Sequence, residues 1–177
     1  MKRVPITSFH PVADEPRVQV GALCWRQARG ELSVLLVTSR ETGRWVIPKG
    51  WPIGGLSPEA SAAREAWEEA GVRGEVGCGC LGVFAYDKVI DHSLPGPPTL
   101  ACIVSVYPLR VTQRNRSFPE ASERRLRWFS REKAARKVDE PALRAMIATF
   151  DPAAAVAAAP PAATEAAPRG AGGPTHP

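Results

Sequence analysis

The chain has 177 residues, of which 44% are hydrophobic and 23% charged, and its formal net charge is +5. This length allows one medium-sized domain with a substantial core, and this composition is ordinary for a globular protein. No apolar run reaches the roughly 18 residues of a membrane span, and the first residues, MKRVPITSFHPV, lack the apolar core of a secretory signal. The four cysteines are Cys24, Cys78, Cys80 and Cys102. Their spacing favours a reduced, cytoplasmic protein over a zinc module or a disulfide framework.

The N-terminal part of the sequence predicts an irregular leader followed by strands. Residues 1–16 carry three prolines, whereas residues 17–25 alternate partly and residues 32–39 form an apolar, β-branched run. Because a turn glycine, Gly30, separates the two runs, we expect a β-hairpin. Residues 44–47 predict a short strand that Pro48 ends.

The next segment, GWPIGGLSPEASAAREAWEEAGV, predicts a glycine-bearing loop and then a helix. Ser57 is a favourable N-cap, and Pro58 follows at the first helical position, where proline is tolerated. Gly71 supplies a left-handed stop after Ala70. We therefore expect a helix over residues 58–70.

The C-terminal half predicts further strands, two helices and a tail. We expect strands over residues 79–86, 100–107 and 125–129, with a proline-rich loop, HSLPGPP, between the first two. Short helices are predicted from Ser130 to residue 136 and from Pro141 to residue 150. In residues 153–177, 19 of 25 residues are Ala, Pro or Gly, which indicates a disordered tail. The folded domain should span residues 17–152.

Three glutamates of the predicted helix share one side of it. At about 100° per residue, Glu68 lies near 300° and Glu69 near 40° when Glu65 is set at zero. The Ala and Trp side chains of the helix fall between roughly 100° and 220°, and we expect them to pack on the sheet. Arg64 precedes Glu68 by four residues, at the spacing of an ion pair.

The glutamates alone leave two interpretations open, a solvated acidic face and a metal site. Few lysines or arginines are interspersed among them, and like charges at this spacing repel, so a cation is expected to neutralise them. Carboxylate oxygens suit Mg²⁺ or Mn²⁺ far better than zinc. The basic residues grouped before the helix and again over residues 110–137 suit a polyanionic ligand, either a phosphorylated small molecule or a nucleic acid, although solvated surface charge explains most of them.

These residues resemble the signature of the Nudix hydrolases. Gly50 matches its first glycine, Arg64, Glu65, Glu68, Glu69 and Gly71 match in register, and Leu56 stands where the signature has a glutamate. That departure bears on the anchoring of the loop more than on chemistry. The runs RWVIPKG and RRLRWFSREKA look like the branch that hydrolyses diphosphoinositol polyphosphates and diadenosine polyphosphates. The resemblance implies an α/β/α sandwich around a mixed sheet.

The resemblance also implies Mg²⁺- or Mn²⁺-dependent hydrolysis of a phosphoanhydride bond in a polyphosphorylated small molecule. Glu65 and Glu69 are the expected metal ligands, with Glu68 and the backbone carbonyl near Gly50 as further ones. Glu68 is the expected general base, Glu65 is the alternative, and Arg64 orients a carboxylate. Glu120 or Glu123 is a candidate for a further ligand or for the base.

Substrate contacts are expected at Arg17, Ser39, Arg40 and Lys49. The candidates for stacking on a base are Trp51, Tyr86 and Trp128. A binding-only alternative is a catalytically silent module of the same fold that senses a nucleotide or binds RNA. Within the enzyme class, an RNA 5′-end pyrophosphohydrolase is the alternative function, and nucleic acid is expected only as the substrate of such an enzyme. No membrane partner is expected, and the sequence leaves the oligomeric state open.

Overall fold

The computed structural model describes residues 15–77, 79–90 and 99–157. The elements in chain order are β1 (Arg17–Ala28), β2 (Glu31–Thr38), β3 (Trp45–Val46), β4 (Lys49–Gly50), α1 (Pro58–Ala70), β5 (Val72–Val76), β6 (Gly82–Val89), β7 (Thr99–Arg114), β8 (Leu126–Ser130), α2 (Arg131–Ala135), α3 (Pro141–Thr149) and α4 (Pro152–Ala157). The predicted leader up to residue 14, the proline-rich loop 91–98 and the predicted tail from residue 158 lie outside the described residues.

The strands of the described residues form one mixed sheet of eight strands. Its main path runs β3-β2-β1-β7-β5, while β4 pairs with β1, β6 with β7, and β8 with β2. The pair β1–β7 is parallel, from Arg17 opposite Cys102 to Trp25 opposite Arg110, and the other pairs are antiparallel. The predicted hairpin of the first two strands and the mixed character of the sheet are confirmed.

Helices cover both faces of this sheet. Cys24 and Trp25 are consecutive residues of β1 and therefore point to opposite faces. The Cys24 thiol lies close enough to Glu69 of α1 for the carboxylate to affect its pKa, which burial raises well above its usual range. Trp25 contacts Phe150, just after α3, with ring centroids 5.7 Å apart. The expected sandwich of helices around a sheet is thus present.

Helix α1 begins and ends as its sequence predicts. The Ser57 side chain accepts a hydrogen bond from the Ala60 amide at 3.2 Å, and Pro58 occupies the first turn. Gly71 has a left-handed φ of 65°, and its amide donates to the Trp67 carbonyl at 2.9 Å. A side chain at position 71 would also overlap the Phe118 ring and the Asn115 carbonyl. These contacts fix where the acidic helix lies relative to the sheet.

The buried face of α1 differs from the predicted one. The buried residues are Ser61, Ala62, Ala66, Glu69 and Ala70, whereas Ala60, Ala63 and Trp67 are half-buried. Trp67 instead stacks with Arg73, whose guanidinium carbon lies 4.2 Å from the ring centroid. The packing face is therefore rotated toward the glutamates, and Glu69 belongs to it.

The remaining differences concern the ends of the elements. Strand β6 begins at Gly82 rather than at residue 79, and β7 continues to Arg114, where it pairs with the unpredicted strand β5. Helix α4 covers Pro152–Ala157, within the first residues of the expected tail, and Ala155 is buried against the core. Among the described residues, no helix is long and apolar enough to cross a membrane.

Candidate active site

The glutamates of α1 face an open cavity of about 540 Å³. The cavity lies between α1, the loop after β2, β6 and the start of α3. Its charged lining residues are Arg40, Glu41, Arg44, Lys49, Glu65, Glu68, Glu69, Asp87, Lys88, Glu120, Arg124, Asp139 and Glu140. Acidic and basic groups are thus brought together at one opening, as a phosphate-binding metal site requires.

Glu65 lies against Gly50, at the centre of this cavity. A Cβ atom at position 50 would overlap the Glu65 carboxylate, so the close approach of strand β4 and helix α1 requires a glycine. Strand β4 is itself held by β1, since Gly50 is paired with Val20. Burial, and then the charges of Glu68 and Glu120, raise the pKa of Glu65 to about 7. The glycine at position 50 therefore has a physical role, because its lack of a side chain makes room for the Glu65 carboxylate.

Glu69 is held by a buried network. Its carboxylate pairs with the Arg124 guanidinium and accepts a hydrogen bond from the Lys49 amide at 3.2 Å. Arg124 also donates to Glu120 at 2.6 Å and to the Thr38 carbonyl at 3.0 Å. Burial raises the pKa of Glu69 to about 7, against the opposing effect of Arg124 and Lys49. Arg124 therefore joins α1, β2 and the segment before β8 around one carboxylate.

Glu68 forms the predicted ion pair with Arg64. The Arg64 Nε atom lies 2.5 Å from a carboxylate oxygen of Glu68, and both side chains are partly exposed. The Glu68 backbone carbonyl accepts a hydrogen bond from the Glu120 amide at 3.1 Å. Glu68 is thus anchored at both its main chain and its side chain, with the carboxylate at the cavity surface.

The donor set suits a hard divalent cation, although the carboxylates are turned toward arginines. In the part of the chain that the structure describes, no group of three His, Cys, Asp or Glu side chains surrounds a common ion position. The physical reason is that Glu68 faces Arg64 and Glu69 faces Arg124. The oxygens of Glu65, Glu68, Glu69 and Glu120, together with the space at Gly50, nonetheless match the ligands that Mg²⁺ and Mn²⁺ prefer. The residues therefore fit such an ion.

Three of the four predicted substrate contacts line the cavity. Ser39, Arg40 and Lys49 do, and Arg40 is 3.2 Å from Glu123 and 3.7 Å from Glu120. Arg17 does not line it, because it is exposed at the first position of β1. Gln19, two residues further on the same face of the strand, does line it and accepts a hydrogen bond from the Tyr86 hydroxyl at 2.7 Å.

Several charged lining residues make contacts that the sequence does not predict. Arg124 lies in a run of arginines that is typical of a solvated surface, yet its side chain is only 6% exposed. Arg44 pairs with Glu140 at 2.7 Å across the opening. Lys88 places its Nζ atom 5.4 Å from the centre of the Trp51 ring, and Lys49 places its own 4.9 Å from Tyr86. These partners are far apart in sequence, so the local spacing of residues gives no signal of the contacts between them.

Comparison with known proteins identifies the class of this fold and site. The model of the NUDIX domain family matches residues 15–150, which is more than half of the chain. In the solved structures, the fold resembles the dihydroneopterin triphosphate pyrophosphohydrolase of E. coli, with a TM-score of 0.55 at 19% identity, covering 75% of this chain and 93% of that one. It also resembles the NUDIX domain of Shewanella oneidensis NrtR complexed with ADP ribose, with a TM-score of 0.54 at 16% identity, covering 74% and 85%. The chain belongs to the Nudix family.

Two curated relatives indicate which branch of the family this chain resembles. The chain is 31% identical over 118 residues to human diphosphoinositol polyphosphate phosphohydrolase 3-alpha, which covers 66% of this chain and 65% of that protein. It is 36% identical over 74 residues to the mouse protein of the same name, covering 42% and 44%. The chain thus spans less than two thirds of the length of these relatives. The predicted family and the similarity to this branch are confirmed.

Proposed function

We propose that this chain is a divalent-metal-dependent pyrophosphohydrolase that cleaves a phosphoanhydride bond in a polyphosphorylated small molecule. The observation that carries the proposal is that Glu65, Glu68 and Glu69 of one helix open onto the same cavity as Lys49, Arg40 and Arg124. Acidic groups for a metal and basic groups for phosphates are thus combined within a single opening. The similarity to named phosphohydrolases agrees with this reading.

We assign Glu65 and Glu69 as the residues that would hold Mg²⁺ or Mn²⁺, together with Glu68 and the carbonyl of Gly50. Such an ion would neutralise phosphate oxygens and lower the pKa of bound water. Glu120 is a candidate for a further ligand because it lines the cavity and shares Arg124 with Glu69. The space left by Gly50 keeps Glu65 close to the main chain that would supply the carbonyl.

Glu68 is the proposed general base, and its task is to accept a proton from the attacking water. Its partner Arg64 fixes the carboxylate orientation through their 2.5 Å contact. Glu65 remains the alternative base, because its pKa of about 7 suits proton transfer near neutral pH. Lys49 and Arg40 would bind phosphate oxygens, with the Ser39 hydroxyl beside them, and Arg17 would contact only a ligand that extends past Gln19.

The experiment is a phosphate-release screen with Mg²⁺ and with Mn²⁺ on diadenosine polyphosphates, nucleotide sugars, inositol pyrophosphates and triphosphorylated RNA. Glu68→Gln should lower kcat by about 10²–10⁴-fold, since it removes a proton acceptor while keeping the shape of the side chain. Glu59→Gln is the matched control, because Glu59 lies in the first turn of the same helix and does not line the cavity. Wild-type turnover in Glu68→Gln would reject the base assignment.

A second candidate is a nucleotide-sensing module without catalysis. The observation in its favour is that Arg64 and Arg124 already neutralise two of the three glutamates. Calorimetric titration with Mn²⁺ separates the two, because a sensor that relies on these arginines has no need of a metal. Tight Mn²⁺ binding that Glu65→Gln abolishes would favour the enzyme. A cytoplasmic location remains a prediction in either case.

A further inference from the structure

We propose that Tyr86 and Trp51 are positioning residues, whose rings hold two lysines of the cavity in place to bind phosphate. The lysines are Lys49 and Lys88, and all four residues line the cavity. Each ring fixes an ammonium group without neutralising its charge, and neither ring has to stack on a base. The inference rests on the proposed function only in taking phosphate groups as the ligand of this cavity.

The arginines of the cavity are held by carboxylates. The ion pairs are Arg40 with Glu120 and Glu123, Arg44 with Asp139 and Glu140, and Arg124 with Glu69 and Glu120. A guanidinium group has a fixed set of N–H donors, and a carboxylate beside it already takes some of them. A phosphate therefore binds these arginines only alongside a carboxylate or in its place.

The two lysines of the cavity lie against aromatic rings instead. The Lys49 Nζ atom is 4.9 Å from the centre of the Tyr86 ring, and the Lys88 Nζ atom is 5.4 Å from the centre of the Trp51 ring. In the part of the chain that the structure describes, neither lysine forms an ion pair. The face of a ring attracts a cation but carries no net charge. Both ammonium groups therefore keep their full charge for phosphate oxygens.

Tyr86 is itself fixed by the sheet. Its hydroxyl donates a hydrogen bond to the Gln19 side chain at 2.7 Å, and Gln19 is only 3% exposed. The Arg44 guanidinium carbon lies 5.7 Å from the centre of the same ring, so the ring contacts two cations. Tyr86 and Lys88 are two residues apart in β6 and therefore point to the same side of the sheet. A fixed ring restricts the lysine before the ligand arrives, which reduces the rotamer entropy that binding would cost.

Both rings are also among the residues that the sequence offers for stacking on a base. In the structure, an ammonium group lies over each of them, so a base could stack only on a face that no cation covers. A ligand that has phosphates but no base separates the two roles. Loss of a positioning ring weakens the binding of such a ligand, whereas loss of a stacking ring does not.

The test measures the binding of inorganic pyrophosphate to the full chain by titration calorimetry in EDTA. Pyrophosphate has no base, and chelation removes any metal that would contribute to its affinity. We expect Tyr86→Leu and Trp51→Leu each to weaken binding by about three- to tenfold. Tyr86→Phe keeps the ring but loses the bond to Gln19, and its affinity should stay within about twofold of the wild type. Trp67→Leu is the matched control, because Trp67 contacts Arg73 at 4.2 Å in the same way but does not line the cavity.

A double-mutant cycle distinguishes positioning from a merely structural role. Lys49→Met should weaken binding, and adding Tyr86→Leu to it should have no further effect, since the ring acts only through the lysine. Lys88→Met and Trp51→Leu should behave in the same way, and the exposed Trp51 provides a cycle that folds even if Tyr86→Leu does not. Additive effects in a cycle whose variants fold, unchanged binding in the leucine variants, or no binding of pyrophosphate by the wild-type chain would overturn the inference.

The outcomes separate this inference from the proposed function. On any compound that the wild-type chain hydrolyses, Tyr86→Leu should raise KM and leave kcat within about twofold, because the ring positions a phosphate-binding group and not the base. Non-additive loss of pyrophosphate binding, without hydrolysis of any compound in the screen, would leave the positioning rings in place and reject the enzyme. Hydrolysis together with additive cycles would keep the enzyme and reject the positioning role.

Discussion

Replacing Gly50 by alanine should disable the site without unfolding the protein. The added Cβ would approach the Glu65 carboxylate to less than the 3.0 Å that real Cβ contacts respect, so one of the two groups must move. The φ angle of Gly50 is not positive, which means that the backbone itself accepts alanine. The Glu65 side chain is the flexible partner, and we expect it to swing away from the main chain of strand β4.

The size of the effect follows from the displacement. Moving the carboxylate from this overlap to an ordinary contact of about 3.4–4 Å requires a shift of roughly 1 Å or more. A misplacement of about 1 Å at a catalytic site lowers the rate by about 100-fold, which corresponds to roughly 2.7 kcal/mol of transition-state stabilisation. Loss of an oriented metal ligand adds a reduction in metal affinity of about 10–100-fold.

The assay measures kcat/KM against Mg²⁺ concentration for the variant, with Gly54→Ala as the matched control. Gly54 lies in the following loop, its φ is not positive, and a Cβ there would meet nothing within 4 Å. Shortening the opposing side chain in Gly50→Ala/Glu65→Asp should restore part of the metal affinity. Wild-type kcat/KM and metal affinity in Gly50→Ala, or equal impairment of Gly54→Ala, would contradict the requirement for a glycine beside Glu65.

Three further outcomes follow from the same geometry. Arg124→Met should lower the free energy of unfolding by about 3–5 kcal/mol, because it leaves the buried Glu69 carboxylate uncompensated. The neighbouring Arg125 is exposed, so Arg125→Met should change the free energy of unfolding by less than about 0.5 kcal/mol. Urea titration of both variants checks this difference. Burial raises the pKa of Glu65 and of Glu69 to about 7 from 4.5, so the metal-free folded chain binds protons that the unfolded chain releases. Its stability should therefore fall as the pH rises from about 4.5 to about 7, and saturating Mg²⁺ should weaken or reverse that slope; a pH-independent melting temperature without metal would contradict this. Truncation after Ala157 should leave the melting temperature unchanged, whereas truncation after Pro152 should lower it, since it removes the buried Ala155; equal melting temperatures for the two truncations would contradict the packing of α4.

The parts of the fold that follow from neighbouring residues were predictable from the sequence. Ser57 and Gly71 bound α1 through hydrogen bonds that span only a few residues, so local chemistry fixes both ends of that helix. The ion pair of Arg64 with Glu68 was likewise expected, because four residues separate them on one helix.

The parts that depend on distant partners were not predictable. Strand β5 has the polar sequence VRGEV, and it is a strand because β7 offers it an edge. Arg124 reaches Glu69 across 55 positions in the sequence. Helical periodicity placed Glu69 on the side opposite the expected packing face, whereas this arginine allows the carboxylate to be buried.

The contact between Arg124 and Glu69 also has a consequence for biosynthesis. The glutamates of α1 leave the ribosome more than 50 residues before the arginine that balances one of them, if the chain is made from its N-terminus. Until the segment before β8 docks beside β2, only Lys49 balances the Glu69 carboxylate, through its charge and its backbone amide. The contacts that surround Glu69 are therefore complete only once the segment before β8 has been made and has docked.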